Sequence, residues 1–68
     1  MTDPILQFFA FRHLPPHLQA VSQPFAALAG EIVDTVPICI ERTTCLRKLL
    51  EAKDCAVRAH LLDEEWDG

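Results

Sequence analysis

Apolar residues recur at helical spacing in two stretches of the chain, residues 15–36 and 41–62. In the first stretch the apolar positions are separated by 3, 4, 3 and 4 residues, which is the pattern of one stripe on an amphipathic helix. That stripe consists of Leu18, Val21, Phe25, Leu28 and Ile32. The spacing therefore predicts a helix over residues 15–36 that turns this stripe toward the core.

Prolines mark both ends of this first helix and a weak point within it. Pro16 suits the first turn, where the N–H that proline lacks would have no helical partner. Pro24 removes one internal hydrogen bond, which predicts either a kink or a new helix start with Ser22 as N-cap. Pro37 then ends the helix and opens a short apolar link to the second stretch.

The second stretch is rich in good helix formers, which predicts a helix over residues 41–62. At 100° per residue its apolar side chains fall on one arc of the helix surface. The arc is made of Cys45, Leu46, Leu49, Leu50, Ala56 and Val57. Arg42, Lys53 and His60 project from the middle of this arc, so three polar groups are directed at the apolar side of the helix.

Burying an unpaired ammonium costs several kcal/mol, so Lys53 must be paired, reach water along its stem, or face a ligand. Two sources of negative charge could pair with Lys53 and Arg42. One is a structural ion pair with Glu31 or Asp34, from the first helix or from a neighbouring subunit. The other is an anionic ligand.

These elements predict an all-α fold in which residues 1–68 form a single antiparallel helical hairpin. Residues 1–14 form a short aromatic N-terminal arm without a clear period, and residues 63–68 form an acidic tail. A 68-residue chain buries too little surface to be more than marginally stable. No disulfide or metal motif makes up the deficit, so we expect a homo-oligomer and no cofactor.

The three cysteines form no CxxC pair, which predicts free thiols that fill apolar space in a reducing cytoplasm. They are Cys39, Cys45 and Cys55. Uninterrupted apolar stretches such as "FFAF" are far too short to span a membrane.

Charge is divided unevenly between the second helix and the rest of the chain. Residues 41–62 hold five basic and three acidic residues, a balance of +2, whereas the remaining residues hold one basic and seven acidic residues, a balance of −6. This polarity argues against DNA or RNA polymers as partners. The three histidines are scattered, and no Ser, Cys and acid form a catalytic set with them. The sequence also contains no glycine-rich phosphate loop. We therefore predict no catalytic residue and a protein that is not an enzyme.

Three motifs, "FAFRHLPPHLQ", "PFAALA" and "ERTTCLRKLLEAKDCAVRA", resemble the helical-hairpin family of phage proteins that includes the anti-CBASS and anti-Thoeris sponges. The resemblance covers Phe9 to Leu61. It implies an all-α protomer in a multimer, commonly a hexamer, in the host cytoplasm. It also implies that a cyclic di- or trinucleotide is held between protomers without hydrolysis.

The resemblance also implies candidate ligand-binding residues. Phe11 corresponds to the aromatic platform for a base, or is simply a core phenylalanine; His13 donates to a phosphate or caps the turn. Arg42 and Thr43 lie at the start of the second helix, where free N–H groups favour anions, or they tie the link and cap the helix.

Three further positions complete the set of candidate ligand-binding residues. Ser22 and Gln23 occupy the neighbourhood in which sponges often carry a basic residue on the first helix, and residues 13–41 contain no Lys or Arg here. Lys53 joins them as the basic residue set in the apolar arc. The alternative function is a small protein-interaction module of phage or prophage origin. Its apolar arm and link would then bind a host or phage protein.

Overall fold

The computed structural model describes residues 3–65 and contains three helical elements. A 3₁₀ helix spans Pro4–Phe9, helix α1 spans Pro16–Thr35 and helix α2 spans Ile40–Glu65. The described residues contain no strand, and the two long helices pack against each other. The all-α prediction is therefore confirmed, and both long helices lie within a few residues of their predicted bounds.

The arm, of which residues 3–14 are described, contains regular structure that its lack of periodicity did not predict. Asp3 is the N-cap of the 3₁₀ helix, and its Oδ1 accepts a hydrogen bond from the Ile5 N–H at 3.1 Å. Pro4 follows in the first turn, where it is well tolerated. The helix closes with the Ala10 N–H donating to the Gln7 carbonyl, and it delivers Phe9 to the core at 2% exposure.

Helix α1 runs without interruption through Pro24, so the predicted new start with Ser22 as N-cap is wrong. Ser22 instead lies inside the helix with a fully buried side chain. The helix ends where the Val36 N–H donates to the Ile32 carbonyl at 2.9 Å, directly before Pro37. Pro37 thus marks the end of α1 as predicted, while the helix accommodates Pro24 in its middle.

The buried face of α1 includes most of the predicted stripe and, beside it, two small side chains. Leu18 is buried, and Phe25 and Ile32 pack half-buried against the core. Ser22 and Ala29 are fully buried, whereas Leu28 is 45% exposed. Small side chains such as those of Ser22 and Ala29 suit a face on which two helices pack together. The prediction that Leu28 faces the core is therefore wrong.

Helix α2 turns the predicted arc inward, with Leu46 fully buried and Leu49 and Leu50 half-buried. Cys45 departs from the arc, because all three cysteines of the chain are exposed. Their predicted role as apolar filler is wrong. The helix also continues to Glu65, into the predicted acidic tail, while the rest of that tail, including Trp66, lies outside the described residues.

The core lies where all three elements meet. Phe9 from the arm, Ala29 from α1 and Leu46 from α2 form its buried centre. The half-buried side chains packed around it are Ile5, Leu6, Phe25, Ala26, Ile32, Val33, Leu49 and Leu50. Within residues 3–65, no helix is both long enough and apolar enough to cross a membrane.

Candidate functional site

Arg42 is buried and already bonded within the chain. Its guanidinium forms an ion pair with Asp3 at 3.1 Å and donates to the backbone carbonyls of Val33 and Val36 at 3.3 and 3.2 Å. The side chain is 8% exposed, and the carbonyls it contacts lie at the C-terminal end of α1, where helical carbonyls lack donors. Arg42 therefore joins the arm, α1 and α2, and its partner is Asp3 rather than Glu31 or Asp34.

The same guanidinium and a backbone amide stabilise the ionised form of Asp3. The Ile5 N–H bonded to its carboxylate, and next the Arg42 guanidinium, lower the pKa of Asp3 below its ordinary value. Hydrogen bonds and opposite charge both favour the carboxylate over the acid. The ion pair consequently persists at neutral pH.

Lys53 is the second basic residue that holds the arm. Its Nζ donates to the Phe8 carbonyl at 2.8 Å and lies 3.4 Å from the Asp54 carboxylate. The Lys53 side chain is 12% exposed, so most of its stem is covered. The prediction that this ammonium must be paired or reach water is met by a carbonyl at the end of the 3₁₀ helix and by a neighbouring acid.

Three of the remaining predicted residues, Ser22, Gln23 and Thr43, lie away from both clefts of the arm. Ser22 is fully buried, whereas Gln23 and Thr43 are exposed. The Thr43 hydroxyl donates back to the Cys39 carbonyl at 3.4 Å, in the first turn of α2. None of these three lines either of the two clefts that flank the arm.

The first cleft, of about 490 Å³, lies between the arm and α1. It is lined by Leu6, Phe9, Ala10, Phe11, Arg12, His13, Ala26 and Gly30. Two predicted site residues, Phe11 and His13, are thus found together here, with Arg12 between them in sequence. Gly30 forms part of the wall on α1, and a Cβ added there would meet no atom within 4 Å.

The second cleft, of about 390 Å³, lies between the arm and α2. It is lined by Phe8, Ala10, His13, Leu14, Lys53, Asp54, Val57 and Arg58. Ala10 and His13 line both clefts, so the arm forms a shared wall between them. The acid Asp54 offsets part of the positive charge that Lys53 and Arg58 bring to this side.

Sequence reasoning missed Arg12, Arg58 and Gly30 as cleft residues. Arg12 is the sole basic residue outside residues 41–62, and its position beside His13 in "FRH" was the available signal. Arg58 is exposed on α2, and its guanidinium donates to the Cys55 Sγ at 3.4 Å. In the part of the chain that the structure describes, no group of three or more His, Cys, Asp or Glu side chains is placed to hold a metal ion.

No protein-family model matches the chain, and neither a curated protein nor a solved structure matches it.

Proposed function

We propose that the protein is a sponge that binds a cyclic di- or trinucleotide in the first cleft and sequesters it without hydrolysis. The observation that carries this proposal is the grouping of Phe11, Arg12 and His13 on one open cavity of about 490 Å³. An aromatic face stacks on a nucleobase, and a guanidinium pairs with phosphate oxygens through charge-assisted hydrogen bonds. These are the two kinds of contact that a nucleotide requires.

Phosphate recognition falls to the arm in this proposal rather than to α2. The donors of Arg42 are directed at Asp3 and at two carbonyls, and those of Lys53 at Phe8 and Asp54. A ligand that recruited either of them would have to break these contacts. Arg12 and His13 are both exposed, so their donors can reach a ligand without that cost.

The proposed protomer is an antiparallel helical hairpin that assembles as a homo-oligomer, most simply the hexamer implied by the resemblance. Two contacts support the antiparallel arrangement. The ring of His17, near the start of α1, lies 5.7 Å from the ring of His60, near the end of α2, measured between ring centroids. Arg42, near the start of α2, contacts carbonyls at the end of α1. The small buried centre supports assembly, because a second copy would cover side chains that this one leaves exposed.

Titration with a panel of cyclic di- and trinucleotides tests the proposal. A ligand present at about 100 times its Kd stabilises the folded state by about 2.7 kcal/mol, which a thermal melt detects readily. Phe11→Ala and Arg12→Gln should each reduce this stabilisation. Native mass spectrometry of the complex reports the number of subunits and the mass of the ligand together. If no member of the panel binds, the sponge function is wrong.

A matched pair of variants at Gly30 localises the ligand. Gly30→Leu places a large side chain in the first cleft and should abolish binding, because nothing else occupies that space. Gly30→Ala adds only a methyl group and serves as its control, with the same loss of glycine flexibility. Binding that survives Gly30→Leu would place the ligand elsewhere.

A second candidate function, a protein-interaction module, is favoured by the exposure of the link. Ile38 is 86% exposed and Ile40 is 83% exposed, and Phe8 on the arm is 56% exposed. In this case Ile38→Asp with Ile40→Asp would abolish recovery of one defined host or phage protein in pull-down experiments. The nucleotide panel would then leave the melting temperature unchanged.

A further inference from the structure

The arm is held to the helices by a small number of side-chain contacts. The backbone hydrogen bonds that begin in the arm stay within it, from Leu6 to Asp3, from Ala10 to Gln7 and from Leu14 to Phe11. A 3₁₀ helix has weaker hydrogen-bond geometry than an α-helix and is short for that reason. The arm therefore depends on the helices for its order.

Three polar side chains of the helices and a few apolar side chains of the arm make the attachment. Arg42 binds Asp3, Lys53 binds the Phe8 carbonyl, and the Gln19 amide donates to the carbonyls of Leu14 and Arg12 at 2.7 and 3.3 Å. Phe9 adds the buried contact with Ala29 and Leu46, and Ile5 and Leu6 pack half-buried against the same cluster. These contacts are distributed along the arm from its first described residue to its last.

Both cations keep a partner when the arm leaves. Arg42 retains the carbonyls of Val33 and Val36, and Lys53 retains the Asp54 carboxylate. Opening of the arm therefore leaves neither positive charge buried without a partner. A buried ion pair usually resists breaking because one charge would be left unpaired, and that cost is absent here. The helices also keep all their own backbone hydrogen bonds.

The geometry points to an arm that opens and closes as a unit while α1 and α2 stay folded. The closed form is the binding form, because the arm lines both clefts and neither exists without it. Asp3 is then a positioning residue, which acts on the ligand site through Arg42 without lining it. This second part rests on the proposed function, whereas the opening itself does not.

Such an arm links ligand binding to its own closure. A ligand in the first cleft contacts the arm on one side and α1 on the other, so it binds the closed form alone. Its apparent affinity is reduced by the fraction of molecules in which the arm is open. Residues that close the arm therefore set affinity without touching the ligand.

Hydrogen exchange of the full chain without ligand tests the opening. We expect the Leu6, Ala10 and Leu14 amides to exchange at least about tenfold faster than those at the centre of the two long helices. Asp3→Asn keeps a side chain that can cap the 3₁₀ helix but removes the charge opposite Arg42. It should accelerate exchange at all three arm amides by roughly tenfold and leave the helices unchanged.

Asp34→Asn is the matched control, since it makes the same chemical change at an exposed position on α1. It should leave arm exchange as it is in the wild type. Acceleration confined to Leu6 would indicate fraying at the N-cap, and equal acceleration throughout the chain would indicate global unfolding; either result overturns the proposal. Because no ligand is present, this outcome is independent of the nucleotide panel.

Discussion

Asp3 and Arg42 are 39 residues apart in sequence, and their side chains form an ion pair at 3.1 Å. The same guanidinium bonds two carbonyls at the end of α1. One buried side chain therefore connects the three elements of the fold. The stability of the whole chain should depend on it more than on any exposed charge of α2.

Replacing Arg42 should destabilise the protein strongly. Arg42→Met keeps the apolar stem but leaves the Asp3 carboxylate and two carbonyls without their donor, at a cost of about 2 kcal/mol. For a domain of this size the melting temperature should fall by roughly 10 °C. Arg47→Met, an exposed change on the same helix, is the control and should have little effect. Equal melting temperatures for the two variants would contradict the role of Arg42.

The Asp3 contribution to stability should disappear in acid. The Ile5 N–H and the Arg42 guanidinium lower the pKa of Asp3 below its ordinary value of 3.8. Because the unfolded chain binds the proton more readily, this contribution is fully present above pH 3.8 and is lost as the pH falls through the folded-state pKa. Urea midpoints of the wild type and Asp3→Asn should converge as the pH is lowered from about 6 to about 2. A constant difference would show that Asp3 does not act through its charge.

Ser22→Ala should leave the protein equally stable or make it more stable. The Ser22 hydroxyl is fully buried and has no hydrogen-bond partner among the described residues. Removing it relieves the cost of an unpaired polar group, a gain of up to about 1 kcal/mol in the free energy of unfolding. The reverse change at a neighbouring buried site, Ala29→Ser, should cost about 1–3 kcal/mol. Urea denaturation of both variants measures the two effects, and a loss of stability in Ser22→Ala would mean that the hydroxyl has a partner.

Gly30→Ala should stabilise the protein. Gly30 lies inside α1, and a methyl group there meets no atom within 4 Å. Alanine has the higher helix propensity, so the free energy of unfolding should rise by about 0.5–1 kcal/mol. Thermal melts of Gly30→Ala and Ala27→Gly, which makes the opposite change at an exposed position of the same helix, should move in opposite directions. A fall in melting temperature for Gly30→Ala would mean that the cleft wall requires glycine.

The three cysteines should react with a thiol reagent in the native protein without denaturant. All three are exposed, and replacement of all three by serine should change the free energy of unfolding by about 0.5 kcal/mol or less. Mass spectrometry of the labelled chain identifies each site. Protection of Cys39 alone would show that the link, with its exposed Ile38 and Ile40, is covered by another chain.

The sequence predicts α2 well because its pattern is local. The inward direction of Arg42, Lys53 and His60 follows from helical geometry, and the structure confirms that Arg42 is buried and the other two half-buried. Their partners could not be predicted, because Asp3 and Phe8 are remote in sequence. The arm's own helix has a local signal, an Asp-Pro pair suited to an N-cap and first turn, which apolar periodicity does not capture.

The buried face of the first helix was harder to predict than that of α2. Its hydrophobic stripe identified the helix and much of the packing face, since Leu18 is buried and Phe25 and Ile32 pack against the core. It did not identify Ser22 and Ala29 as fully buried or Leu28 as exposed. Small residues fit where two helices pack together, and a pattern that counts hydrophobicity does not register them. The candidate site was only partly predictable for a related reason. Phe11 and His13 are near in sequence, whereas Gly30 joins them through the fold.

The long sequence separation between Asp3 and Arg42 has a consequence during synthesis. At 5–20 residues per second, the ribosome adds Arg42 about 2–8 s after Asp3. Throughout that interval the nascent chain carries Phe8, Phe9 and Phe11 without the helix that will cover Phe9. The buried centre that Phe9 shares with Leu46 therefore cannot form until α2 has been made, so folding of the arm is completed late in synthesis.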